Sequence, residues 1–256
     1  MNKKEIIIAT VLTIIIAFME LTVLPSILVI NINYFDITPI YFSLIFNFIL
    51  IGIISFLILK FFCPSWNLGF KKKGLLKGLK KYGLVGFLAG IMSFVAFYIG
   101  LRPFDYEPSI WKVLVEGIIY YIGLAIIEEL YVRGLLLNII EKLCANKKNK
   151  TMIAIIISSV IFGLGHIFGT LSQPLIVIIS NVIWTIGMGM YFGSIYKKTN
   201  NLWLPIILHF WINICALPYC FSSLSGYADI SLYIILPIYL LLGIYSFYII
   251  RKKDNL

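Results

Sequence analysis

Charge is scarce in this chain. Only 12 % of its 256 residues are Asp, Glu, Lys or Arg, while 61 % are hydrophobic. Soluble domains average about 25 % charged and about 45–50 % apolar. A soluble globule of this size could not cover its surface with so few charges. That excludes an ordinary soluble enzyme and a disordered chain. It also excludes a nucleic-acid-binding domain, despite a pI near 9.4. Between Thr151 and Tyr196 there is no Asp, Glu, Lys or Arg at all. The chain has four cysteines, Cys63, Cys144, Cys215 and Cys220, and none stands in a CxxC or other metal-ligand spacing. They read as small apolar fillers, with Cys215 and Cys220 close enough in sequence to pair on the outer side. Neither HExxH nor G-x-S-x-G occurs, which removes a helical zincin and a serine nucleophile elbow.

What is present is apolar sequence in span-length runs. A transmembrane helix takes about 20 apolar residues, so one integral membrane domain is expected over residues 1–256, all-α, with eight helices. The expected spans are 6–30, 39–59, 83–101, 111–140, two helices within 151–196, 202–221 and 230–250. The two within 151–196 are separated at the Gly169–Pro174 turn signal. The N-terminal apolar run outlasts the about 7–15-residue core of a signal peptide and no A-x-A site follows, so it is expected to be a retained helix.

Positive charge orders these spans. With the N-terminus in the cytoplasm, 18 Lys and Arg fall in inner segments and two, Arg102 and Lys112, in outer ones; Arg133 lies within a span. One helix more or fewer would scramble that division, so the positive-inside rule places both termini in the cytoplasm of a multi-pass cell-membrane protein. The basic segment 63–81 reads either as an interfacial helix on anionic headgroups or as a plain topology-setting loop.

Ionisable residues inside spans need a reason, because each costs about 2.5–3.5 kcal/mol at a helix centre on insertion scales. The fourth span carries Glu128, Glu129 and Arg133. Glu129 and Arg133 are four residues apart and can pair on one helix face. Glu128 is turned by about 100° and is expected to point elsewhere. Both histidines also lie in spans: His166 in the fifth, and His209 in the seventh, one turn before Asn213. A carboxylate can take a proton from water while an imidazole orients it. A second imidazole and a carboxamide can donate to an oxyanion. That chemistry is hydrolysis of an amide or ester. A rival use of the same residues is a three-ligand zinc site of Glu128, His166 and His209.

The sequence Glu128-Glu129…Arg133, then Phe162…His166, then His209…Asn213 resembles the CAAX-processing and bacteriocin-processing (CPBP, Abi) intramembrane proteases, the type II CAAX prenyl endopeptidases. The family pattern is EExxxR, FxxxH and then HxxxN or HxxxD, in that order, and the likeness covers about residues 111–221. It implies an eight-helix intramembrane endopeptidase acting on membrane-associated, CAAX-like or bacteriocin-type substrates. It further implies that Glu128 is the general base and His166 its partner on the water, that His209 and Asn213 form the oxyanion hole, and that Glu129 and Arg133 form a structural ion pair. The glutamate mechanism needs no cofactor; one zinc is the alternative. Two other readings are a non-catalytic bacteriocin self-immunity or scaffold protein and a proton-relay transporter. The partners expected are a membrane-associated peptide or protein and the lipid bilayer, not nucleic acid.

The topology is directly measurable. Reporter fusions after Leu256 and within 222–228 are expected to give opposite signals, cytoplasmic and external. An external signal at Leu256 would mean that the helix count is wrong by one.

Overall fold

The computed structural model describes residues 3–22, 29, 38–100, 109–218 and 229–252. Every regular element among them is helical. The bundle consists of α1 (Lys3–Thr22), α2 (Pro39–Phe62), α3 (Leu75–Ile99), α4 (Ile110–Leu143), α5 (Lys150–Gly165), α6 (Leu175–Thr199), α7 (Trp203–Cys215) and α8 (Asp229–Arg251). A short 3₁₀ turn, Phe168–Thr170, follows α5. Seven helical segments are long and apolar enough to cross a membrane. The large residues exposed on them, such as Ile14, Phe18, Ile53, Phe94 and Ile244, are apolar. That is the surface of a protein whose solvent is hydrocarbon. The chain is a polytopic helical bundle.

The expected eight helices are all present, with three differences. α7 has 13 residues, about 20 Å at 1.5 Å per residue, short of the about 30 Å hydrocarbon thickness. Its expected continuation to 221 lies partly outside the described residues, as do 23–28 of the first span and Cys220; Cys215 is a free thiol. α3 starts at Leu75, eight residues earlier than expected, so Lys77, Lys80 and Lys81 sit on its first turns and not on a separate interfacial helix. α4 is not uniform: its Leu130–Leu136 stretch is a π-helix.

The segment before α3 is packed. Cys63, Trp66 and Leu68 are buried. Ser65 Oγ donates to Glu5 Oε2 at 2.6 Å, and Asn201 Nδ2 donates to the Lys71 carbonyl at 2.6 Å. Trp66 Nε1 donates to the Gly134 carbonyl at 2.9 Å, within the π segment of α4. Lys142 lies over the Trp66 ring at 5.0 Å. The segment therefore clamps the end of α4 to α1 and to the α6–α7 corner.

Around this clamp, α6 packs on α5 and α8, α2 on α4, and α7 bridges α3 and α4; α1 lies against the π segment. The α6–α8 crossing is the tightest. A Cβ on Gly187 would stand 2.0 Å from the Tyr239 carbonyl oxygen. Small residues allow such close approach, which in lipid replaces the missing hydrophobic drive with van der Waals packing.

Gly187→Ala is therefore expected to lower thermal stability in detergent by about 1–3 kcal/mol, the usual cost of overpacking. Gly52→Ala, where nothing lies within 4 Å, is expected to be neutral or slightly stabilising, as helix propensity alone dictates. Equal melting temperatures for the two variants would refute the crossing as a packing constraint.

Candidate active site

The site is built where α4 widens. Glu128 and Glu129 end its α-helical part, and the π turn begins at Leu130. Backbone carbonyls in the widened turn are taken by side chains. Asn138 Nδ2 donates to the Gly134 carbonyl at 2.9 Å and the Arg133 carbonyl at 3.2 Å, and Trp66 adds its bond to Gly134. Asn138 is itself held, since Lys197 Nζ donates to its Oδ1 at 2.8 Å. Single π turns inside α-helices are frequent at functional sites. Here the turn carries Arg133 and Tyr131 directly after the two glutamates.

Glu129 and Arg133 pair as the spacing suggests: Arg133 Nη1 donates to Glu129 Oε1 at 2.8 Å. Both are buried, at 0 % and 1 % exposure. The guanidinium also lies over two aromatic rings, 4.6 Å from the Phe162 centroid and 5.4 Å from that of Phe192. Cation–π attraction of this kind is strongest in desolvated settings. Gly189 leaves the room: a Cβ there would be 3.3 Å from Arg133 Nη2.

The ion pair is joined by a third partner. His209 Nδ1 donates to the same Glu129 Oε1 at 2.8 Å. Its other nitrogen, Nε2, stands 3.3 Å from Glu128 Oε2. Glu128 therefore does not point away from Glu129. The two neighbouring side chains approach opposite edges of one imidazole ring, because α7 sets that ring edge-on to the glutamate face of α4. Phe192 and Phe162 hold the ring, with centroids at 5.3 Å and 6.3 Å.

His166 sits just past the end of α5. Its Nδ1 donates to the Phe162 carbonyl one turn back, at 2.9 Å, which caps an otherwise orphaned helix carbonyl and leaves Nε2 as an acceptor. The Phe162 ring lies 4.6 Å from the His166 ring and separates it from the guanidinium. Among the described residues no hydrogen bond joins His166 to Glu128. Asn213 is half-buried on α7, and no described residue hydrogen-bonds its amide. Gly163 is a packing residue, because a Cβ there would be 2.9 Å from the Val182 carbonyl oxygen, whereas Gly165 faces open space.

Two residues enter that the motifs do not mark. Glu20 of α1 and Tyr131 of the π turn are electrostatic neighbours of Glu128. One cue was in the sequence. Glu20 is an ionisable group in an apolar span, four residues beyond Ile16.

The donor set can be tested against zinc. Among the described residues no group of three or more His, Cys, Asp and Glu is arranged to hold a metal ion. His209 Nδ1 on Glu129 and His166 Nδ1 on the Phe162 carbonyl leave both Nε2 atoms uncommitted, as in metal-binding imidazoles, so the test rests on how the three groups are gathered. In this arrangement Glu128, His166 and His209 are not gathered as three ligands of one ion.

Glu128, Glu129, Arg133 and His209 form one buried polar cluster inside a helical membrane bundle. Residues 110–215, from the start of α4 to the end of α7, match the family model described as type II CAAX prenyl endopeptidase Rce1-like. No curated protein matches the chain.

The ion-pair geometry divides the two glutamates. Arg133→Ala leaves the fully buried Glu129 without its cation, and the loss is expected to be about 3–5 kcal/mol of stability. Glu128→Gln keeps the volume and a polar amide and is expected to cost less than about 1.5 kcal/mol. Thermal unfolding of the two variants in one detergent checks this; equal losses would remove the distinction.

Proposed function

We propose that the chain is an intramembrane endopeptidase in which Glu128 activates water against a peptide bond of a membrane-associated, CAAX-like substrate. The observation that carries this reading is the convergence of Glu128 and the Glu129-held His209 at one buried point of the matched segment.

In this reading a water lies between Glu128 and Nε2 of His166. Glu128 takes one proton from it, and the remaining hydroxide adds to the scissile carbonyl carbon. Negative charge moves to the carbonyl oxygen. His209 in the reacting state carries N–H on both nitrogens: Nδ1–H stays on Glu129, and Nε2–H turns to the oxyanion together with the Asn213 amide. Collapse of the intermediate breaks the C–N bond, and the proton on Glu128 goes to the leaving amine. Glu129 thus orients the imidazole in the way that a buried acid orients a triad histidine. Arg133 in turn fixes Glu129. No metal is required by these steps, and the low-charge interior suits them, since preorganised donors act most strongly where water is excluded.

The alternative of a non-catalytic self-immunity or scaffold protein keeps the fold and dispenses with the chemistry, so one experiment separates the two. Full-length protein in liposomes is given a farnesylated peptide ending in a CAAX sequence. Cleavage is expected, with Glu128→Gln lowering kcat by about 10²–10⁴-fold and Asn213→Ala by about 10²–10³-fold, and activity is expected to survive chelation. Full activity in Glu128→Gln would overturn the assignment, and loss on chelation with recovery on added zinc would replace it by a metal mechanism.

A further inference from the structure

We propose that the corner where α1 and α5 begin and α4 ends binds the phosphate headgroup of an anionic phospholipid, held by Lys142 and Lys150. The inference stands apart from the peptidase reading, and its test needs no peptide substrate.

A cavity of about 410 Å³ lies at this corner, lined by Ile6, Glu141, Lys142, Ala145 and Lys150. Small-ligand pockets run to about 300–1,000 Å³. The carboxylate of the lining is already committed within the protein. Lys197 Nζ lies 2.5 Å from Glu141 Oε2, and the Thr151 hydroxyl donates to Glu141 Oε1. Glu5, one residue before Ile6, is buried and takes both its oxygens to Ser65, which donates N–H to Oε1 at 3.3 Å and Oγ–H to Oε2 at 2.6 Å. The two lysines of the lining are not committed. Among the described residues neither ammonium forms an ion pair or donates a hydrogen bond. The cavity therefore presents two positive charges beside a negative charge that is matched from α6. An ammonium meets a phosphate as a point charge with three rotatable donors, so two of them can share one headgroup without a fixed fork.

The surroundings select a lipid as the source of the phosphate. The end of α4 packs on both α1 and α5. From the cavity into the span, the outward residues of these two helices are apolar: Ile7, Val11 and Ile14 on α1, and Ile157 and Ile161 on α5. A headgroup seated between the lysines leaves its acyl chains on that surface. A free phosphate would meet the same two charges and gain nothing from the apolar wall. Lysines at a membrane surface attract anionic lipids; here two of them line one cavity.

The site also touches the clamp on α4. Lys142 Nζ lies 5.0 Å from the Trp66 ring centroid, and Trp66 Nε1 donates to the Gly134 carbonyl in the π segment. A headgroup that holds the Lys142 ammonium holds the ring beneath it, so occupancy stabilises the turn that carries Arg133.

The test uses the full chain in neutral dodecyl maltoside micelles, titrated with dioleoylphosphatidylglycerol. Thermal unfolding reports binding, since a ligand of the folded state raises the midpoint by an amount set by its dissociation constant. The midpoint is expected to rise with phosphatidylglycerol and to stay level with dioleoylphosphatidylcholine or glycerol phosphate. Lys142→Gln and Lys150→Gln are each expected to weaken the apparent affinity by about fivefold, the worth of one lysine near an anionic surface. Lys142→Arg is expected to keep it. The double variant Lys72→Gln/Lys77→Gln, which removes two exposed lysines outside the cavity, is expected to leave it unchanged. Lys150→Gln decides the matter should Lys142→Gln not fold. No rise with phosphatidylglycerol, or an undiminished affinity in Lys150→Gln, overturns the proposal. Equal weakening by Lys72→Gln/Lys77→Gln and by Lys142→Gln/Lys150→Gln overturns it too, in favour of a diffuse basic surface. A rise with glycerol phosphate equal to that with phosphatidylglycerol overturns the lipid as the source and leaves a soluble phosphate in its place.

Discussion

Burying Glu129 inside an apolar bundle is the constraint around which the site is arranged. A carboxylate at 0 % exposure cannot be left alone, because desolvation costs several kcal/mol per ion and is recovered only by well-placed partners. Arg133 and His209 both donate to its Oε1 at 2.8 Å. That shared acceptor ties α4 to α7. The guanidinium, in turn, must be desolvated too, and the rings of Phe162 and Phe192 receive it from α5 and α6. One buried charge thus recruits side chains from four helices, and the imidazole that it holds is the one beside Glu128.

The π turn after Glu129 serves the same arrangement. A regular helix would carry its carbonyls in an unbroken ladder. The widened turn gives up part of that ladder, which is costly in lipid because no water replaces it. The losses are made good by Asn138 and Trp66. Trp66 belongs to the packed segment between α2 and α3, and Lys197 secures Asn138 from α6. Much of the polar chemistry outside the site is therefore devoted to holding one irregular turn of α4.

Parts of this were legible without coordinates. Charge scarcity, run length and the turn at Gly169–Pro174 foretold eight helices close to those found. The reason is that hydrocarbon imposes a length and a composition on any span. The Glu129–Arg133 pair followed from four-residue spacing on one helix. The relation of Glu128 to Glu129 did not: a 100° rotation suggests divergence, yet both reach one ring because the ring is presented edge-on from another helix. Glu20 was visible as an ionisable residue in a span, but nothing along the chain tied it to Glu128, more than a hundred positions away.

What the sequence by itself determined is the class of protein and the inventory of its polar groups. The medium enforces both locally: each span must be apolar, and each ionisable exception is conspicuous against it. Only the tertiary structure decided which exceptions meet. The clustering of Glu20 and Tyr131 with Glu128, the seating of His209 on Glu129, and the separation of His166 from Glu128 by any direct bond depend on how helices cross. Crossings are set by interhelical packing, of which the near contact of Gly187 with the Tyr239 backbone is one instance. Such packing is a property of pairs of helices and leaves no periodic mark along either one.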